Sequence, residues 1–274
     1  VEMSLQSRVM QEKELASALL THNRFVPLAL TTLQDDGYLY TVFKTRVAID
    51  LSTLLGETAF DEKTAMFYAA SVALGLEHLQ GDAAGHIIYR NLTPEAIVLD
   101  SQGYVQLIDM RYACKETPMP SDFCGYAHYL APEQVSGQGH GLAVDFWALG
   151  TLLYELVTGG ANPWLTGDPA KDSEVGIYQR ISMHQPGGLK FPDGAEPSAP
   201  LKELLNDLMH PKSDRRLGAR GTGPKEVRHA KWFASVDFQW EKLEAGKWTR
   251  HTLCTGTHST RASSSDRQPP DTLT

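Results

Sequence analysis

The sequence predicts an α+β fold that is mainly helical, with its strands confined to short hairpins. Three features point to it. Four stretches read as helices, and one of them, residues 143–157, is apolar on nearly every face. Two pairs of short apolar runs are joined by turn residues, Gln34-Asp35-Asp36-Gly37 in one case and Ser101-Gln102-Gly103 in the other. The 274 residues, 42% hydrophobic and 21% charged, are enough to bury a substantial core.

In chain order, residues 7–20 place Val9, Met10, Leu15, Ala16, Ala18 and Leu19 at roughly helical spacing among Gln11, Glu12, Lys13 and Glu14. That pattern predicts an amphipathic helix. Residues 25–33 and 38–43 read as a hairpin closed at Asp36-Gly37. A long amphipathic helix is predicted over 60–79, with Asp61 and Glu62 placed to complement its dipole. From His86 to Arg111 come an apolar strand end, a polar loop, a strand at Ile97 to Leu99, a turn, and a strand from Tyr104 to Ile108 that delivers Asp109. Residues 143–157 predict a helix buried on all sides, and 200–208 a further helix. Residues 241–274 are read as a tail, and after Trp248 they become rich in Ser, Thr and Pro. Too little apolar surface remains there to offset the entropy of ordering.

The formal net charge of −8 argues against nucleic acid as a main partner, because a phosphate-binding surface needs clustered Lys and Arg. Cys114, Cys124 and Cys254 are odd in number and widely spaced, which points to a reducing, cytoplasmic compartment and away from zinc or a disulfide framework. No run approaches the roughly 18 apolar residues of a membrane span. The chain begins with Val1, and the expectation is a segment of a longer protein.

Two polar clusters meet at one end of the 97–108 hairpin: Tyr89-Arg90-Asn91-Leu92-Thr93-Pro94-Glu95-Ala96, and Asp109-Met110-Arg111. They resemble the catalytic loop and metal-binding motif of protein kinases. Ala131-Pro132-Glu133, the AVDFWALG run from Ala143, RRLG at Arg215 and HAKWF at His229 extend the resemblance over roughly residues 7–240. It is to the Ser/Thr kinases of the cyclic-nucleotide-dependent (AGC) group. More narrowly, YRN and DMR resemble the C-terminal kinase-like domain of plant and green-algal proteins that also contain a metal-dependent phosphatase and a cyclic-nucleotide-binding module.

The resemblance implies a protein-kinase-like fold with a truncated small lobe at 1–45, a large lobe at 46–240 and the tail beyond. It puts Asn91 where the family has its catalytic aspartate, Thr93 where it has the phosphate-contacting lysine, and Ala96 where it has the second magnesium ligand. An amide has no proton-accepting capacity near neutral pH, and a positioned general base is worth about two to four orders of magnitude in rate. Asn91 reads as a loop-capping amide, with a disguised catalytic role as the alternative. Asp109 is the retained metal position.

For the nucleotide, the resemblance implies Phe43 as gatekeeper, Asp50 at the ribose, Val98 as a further cofactor-binding residue, and Glu12 as the helix glutamate that pairs with a lysine. That lysine and the glycine-rich loop belong to strands that precede the first helix, and this chain starts too late to include them. Glu12 reads equally as a solvated glutamate. Asp122 occupies the place of an activating phosphothreonine and is expected either to pair with Arg90 or to be a plain loop aspartate. Glu95 and Glu155 fall where a substrate arginine docks, or are two surface acids. Glu133 and Arg216 match a buried ion pair, and Asp145 a residue that holds the catalytic-loop backbone.

Together these imply a degenerate kinase that serves as a regulatory or docking module, with protein partners or domains in cis and neither nucleic acid nor membrane as partner. ATP and Mg2+ are implied only under the alternative of an active kinase completed by upstream strands. A purely structural interaction domain is the third reading.

Overall fold

The computed structural model describes residues 5–18, 23–56 and 60–248. The first helix, α1 (Leu5–Ala18), starts two residues earlier than predicted, and residues 19 and 20 of the predicted span lie outside the described residues. Its Leu15 is buried in the same core as Phe67 and Trp147.

The hairpin pairs β1 (Ala29–Gln34) with β2 (Leu39–Phe43), Thr32 opposite Thr41 and Leu33 opposite Tyr40. Asp35 shapes the turn, its carboxylate accepting from the Gly37 and Tyr38 backbone N–H groups at 2.8 and 2.7 Å. The first strand is shorter than the predicted 25–33. Phe25 and Val26 are buried beneath it, and the Phe25 carbonyl accepts from the Leu107 N–H at 2.8 Å. Pro27 follows and has no N–H to give a ladder, so the strand begins only at Ala29.

Among the elements not predicted are β3 (Val47–Asp50) and the short α2 (Leu51–Leu55). Strand β3 joins β5 (Ile97–Asp100) and β6 (Val105–Leu107) in an antiparallel sheet of order β3-β5-β6. A two-residue strand β4 (Ile87–Ile88), just before Tyr89-Arg90-Asn91, pairs with β7 (Cys114–Lys115).

Helix α3 (Glu62–Gln80) is capped by the Asp61 carboxylate on the Thr64 N–H. After the short α4 (Pro132–Val135) comes α5 (Ala143–Thr158), which runs through the centre of the core and ends on Gly159 in the left-handed conformation at φ 71°. Phe146 and Trp147 are fully buried, and Trp147 stacks on Trp164 with ring centroids 5.1 Å apart. Gly150 lets α7 (Ala199–Leu208) approach α5, since a Cβ there would lie 2.6 Å from Met209. Helix α6 (Glu174–Ser182) packs against α4, and α8 (Lys231–Ala234) against α7.

The core extends past residue 240, which corrects the predicted start of the tail. Leu243 of α9 (Trp240–Glu244) is fully buried, and Trp248 packs on Phe67 and Phe238. Residues 249–274 lie outside the described residues. No helix among the described residues is long and apolar enough to cross a membrane.

Candidate active site

The site is assembled by a buried carboxylate on α5. Asp145 accepts from the Tyr89 N–H at 2.9 Å, the Arg90 N–H at 2.8 Å and the Gln80 side-chain amide at 2.9 Å. Burial pushes its pKa up to about 6, against the lowering effect of these bonds. The bonds hold Arg90 at φ 57°, a left-handed backbone that costs a non-glycine residue on the order of 1 kcal/mol. Asp109, at φ 61°, is the second such residue at the site. Between them, the Tyr89 hydroxyl donates to the Ile108 carbonyl, fastening the loop to the strand that carries Asp109.

Asn91 and Thr93 are each only 3% exposed. The Asn91 amide nitrogen donates to the Asp109 carbonyl at 2.9 Å, whereas Asn91 Oδ1 and Thr93 Oγ1 are buried with no hydrogen-bond partner among the described residues. Ala96 offers no donor atom to a metal and is itself buried. The Asp109 carboxylate accepts from Arg111 Nε at 2.6 Å, and this bond raises the Arg111 pKa. Glu12 is half-buried, so the solvated alternative is corrected: its carboxylate accepts from the Met110 N–H at 3.0 Å, and burial raises its pKa.

These residues do not fit a magnesium-nucleotide site. Magnesium beside a nucleotide is held by one or two protein oxygen ligands besides the phosphates, but Asp109 is shared with a guanidinium and Ala96 supplies no side-chain oxygen. Asp50 is likewise engaged. It caps α2, accepting from Ser52 Oγ at 2.6 Å and the Thr53 N–H at 2.8 Å, and the Ser52 bond holds its pKa below the usual carboxylate range. Phe43 is half-buried at the end of β2, and Val98 is buried on β5 opposite both Asp50 and Gln106.

The segment from Arg111 to Glu133 is tied down at both ends. Arg90 Nη1 meets Asp122 Oδ1 at 2.6 Å, and Arg90 Nε donates to the Tyr112 carbonyl at 2.7 Å. Burial acts to raise the Asp122 pKa, but the bond and charge of Arg90 outweigh it and leave the carboxyl below its ordinary value. The α1 residue Arg8 lies over the Tyr112 ring at 4.8 Å, a second link from α1 to this segment besides Glu12. Cys114 and Cys124 flank the pair, and burial pushes their thiols up to about 12 and about 11, far from the reactive range. At the far end Arg216, fully buried, grips Glu133 with both terminal nitrogens at 2.7 and 2.9 Å and lies over Trp147.

Of the two acids that the resemblance places at an arginine-docking position, Glu95 is exposed but Glu155 is 6% exposed, so Glu155 is no surface acid. Glu155 accepts from the Tyr129 hydroxyl and from Asn162 Nδ2, and burial pushes its pKa up to about 7.

The protein kinase domain family matches residues 1–233. The chain belongs to the protein kinase family. Among curated kinases, the cAMP-dependent protein kinase catalytic subunit of Dictyostelium discoideum is 33% identical over 89% of this chain and 35% of its own length. Protein kinase 2 of the same organism is 40% identical over 69% of this chain and 36% of its own. The human cAMP-dependent protein kinase catalytic subunit PRKX is 35% identical over 79% of this chain and 56% of its own. The chain thus spans between about a third and just over half of these kinases' lengths.

Within this kinase domain, sequence reasoning overlooked Arg111 as the partner of Asp109, Tyr129 and Asn162 as the partners of Glu155, and Arg8. Arg8 had a readable signal, since it lies four residues before Glu12 and so shares its helix face. Arg111 had one as well, a cation two residues from the metal-position carboxylate.

Proposed function

We propose that this AGC-type kinase domain is catalytically impaired and works as a regulatory or docking module. One observation carries the reading: the residue at the general-base position is a buried amide committed to the Asp109 carbonyl, with its own oxygen unpartnered. A base must reach the hydroxyl it deprotonates, and Asn91 has neither the proton affinity nor the exposure. The Arg111 guanidinium beside Asp109 supports the same reading, because it supplies positive charge where a kinase recruits a cation. The cytoplasm is the compartment this reading assumes. The narrower resemblance to kinase-like domains joined to a phosphatase and a cyclic-nucleotide-binding module favours partners in cis.

The active-kinase alternative draws support from the Arg90–Asp122 pair, which orders the segment without phosphorylation. Thermal melting with and without Mg·ATP separates the two. At about 100 times its dissociation constant a ligand adds about 2.7 kcal/mol, a rise of several degrees. The proposal expects no rise with millimolar Mg·ATP, and a rise of that size would contradict it.

A further inference from the structure

A cleft of about 570 Å³ lies at the opposite end of the β5–β6 hairpin from Asp109, about 10 Å away by strand rise. Its lining includes Arg24, Lys44 and Arg46 together with Asp100, Gln102 and Gln106. It straddles the chain as it crosses from β2 to β3. A chain of net charge −8 here gathers three cations. Arg24 rests over the Tyr104 ring, but Lys44 and Arg46 are exposed and form no ion pair among the described residues. Asp100 is turned into its own hairpin turn, accepting from the Gln102 and Tyr104 N–H groups at 2.8 and 3.0 Å.

A second observation points to an occupant. Gln106 is 9% exposed, and its amide nitrogen donates to the Arg24 carbonyl at 3.3 Å. Its Oε1 is buried with no hydrogen-bond partner among the described residues. A buried acceptor without a donor carries its full desolvation cost, which a ligand N–H would relieve.

We propose that this cleft binds an extended peptide rich in Asp and Glu, its carboxylates facing Lys44 and Arg46 and one backbone N–H donated to Gln106 Oε1. A free inorganic anion would satisfy the cations but brings no N–H for Gln106. A nucleotide brings an amine, but among the described residues no aromatic side chain lines the cleft to stack on a base. The volume lies within the usual range of a ligand site. An occupant would bridge the β1–β2 hairpin to the large lobe, independently of whether Asp109 takes part in catalysis.

The test is fluorescence anisotropy with a short fluorescein-labelled peptide of alternating Glu and Ser, set against one of alternating Gln and Ser. The acidic peptide is expected to bind about tenfold more tightly and to weaken as ionic strength rises. The exposed double variant Lys44→Glu/Arg46→Glu should lose about tenfold in affinity with an unchanged melting temperature. Gln106→Leu should weaken binding several-fold while the melting temperature holds or rises, because the orphaned acceptor is gone. Equal binding of the two peptides, wild-type affinity in the charge-reversed variant, unchanged affinity in Gln106→Leu, or displacement by equimolar ADP or inorganic phosphate would each overturn the proposal.

Discussion

Two regions meet at Tyr89-Arg90-Asn91, and they differ in how fully their polar groups are satisfied. On the α5 side Asp145 has three donors and Glu133 has a two-point guanidinium partner. On the Asp109 side Asn91 Oδ1 and Thr93 Oγ1 are buried without partners among the described residues, and the Asp109 carboxylate is paired with its near neighbour Arg111. The contrast separates two kinds of constraint. Unpaired buried charge is penalised by several kcal/mol, so packing alone preserves Asp145, Glu133 and Arg216 whatever the domain does with ATP. Nothing in the packing demands an aspartate at position 91, and the chain folds around an amide there.

The contrast can be broken most forcefully on the α5 side. Arg216→Ala strands Glu133 and should cost about 3–5 kcal/mol in urea unfolding at neutral pH. A loss below about 1 kcal/mol would place the pair among weak surface bridges.

Glu155 tests the same region through pH. Its folded carboxyl stays protonated up to about 7, whereas an unfolded glutamate ionises near 4.5. The folded state therefore binds more protons in that window, and this contribution to stability is lost as pH rises through it. Glu155→Gln should be more stable than the native chain at about pH 8, by on the order of 3 kcal/mol, with the gain vanishing below about pH 4.5. An unchanged pH profile would mean that Glu155 is not held neutral. Asp122, held low by Arg90, has the opposite sign: its contribution is lost as pH falls.

On the Asp109 side, Asn91→Asp would set a carboxylate against the Asp109 carbonyl, two acceptors where there had been donor and acceptor. It should destabilise by about 1–3 kcal/mol at neutral pH, seen as a lowered urea midpoint. Asp122→Ala should cost about 1 kcal/mol, since its side chain is 24% exposed, and should speed limited proteolysis between residues 112 and 124. Unchanged cleavage would mean that the pair does not order the segment.

Helices and hairpins were legible because their signals are local: apolar period, Asp61 before α3, the turn at Asp36-Gly37. Asp50 as a cap was also readable from the Ser52 and Thr53 that follow it, but the ribose analogy drew attention away. The burial of Glu155 was implied by a helix apolar on all faces, yet its donors come from residues 129 and 162 and need the tertiary fold. The same holds for Trp248, whose N–H bonds to the Tyr104 hydroxyl 144 residues away and extends the core beyond residue 241. Site positions were legible as a motif, while the orphaned oxygens and the Arg111 clasp depend on side-chain geometry that no motif specifies.

Phosphoryl transfer tests the central claim most directly. The protein, with radiolabelled ATP, Mg2+ and an arginine-containing serine peptide, should incorporate no label above an Asp109→Ala control. Reproducible incorporation that disappears in Asp109→Ala would contradict the account and establish a working kinase.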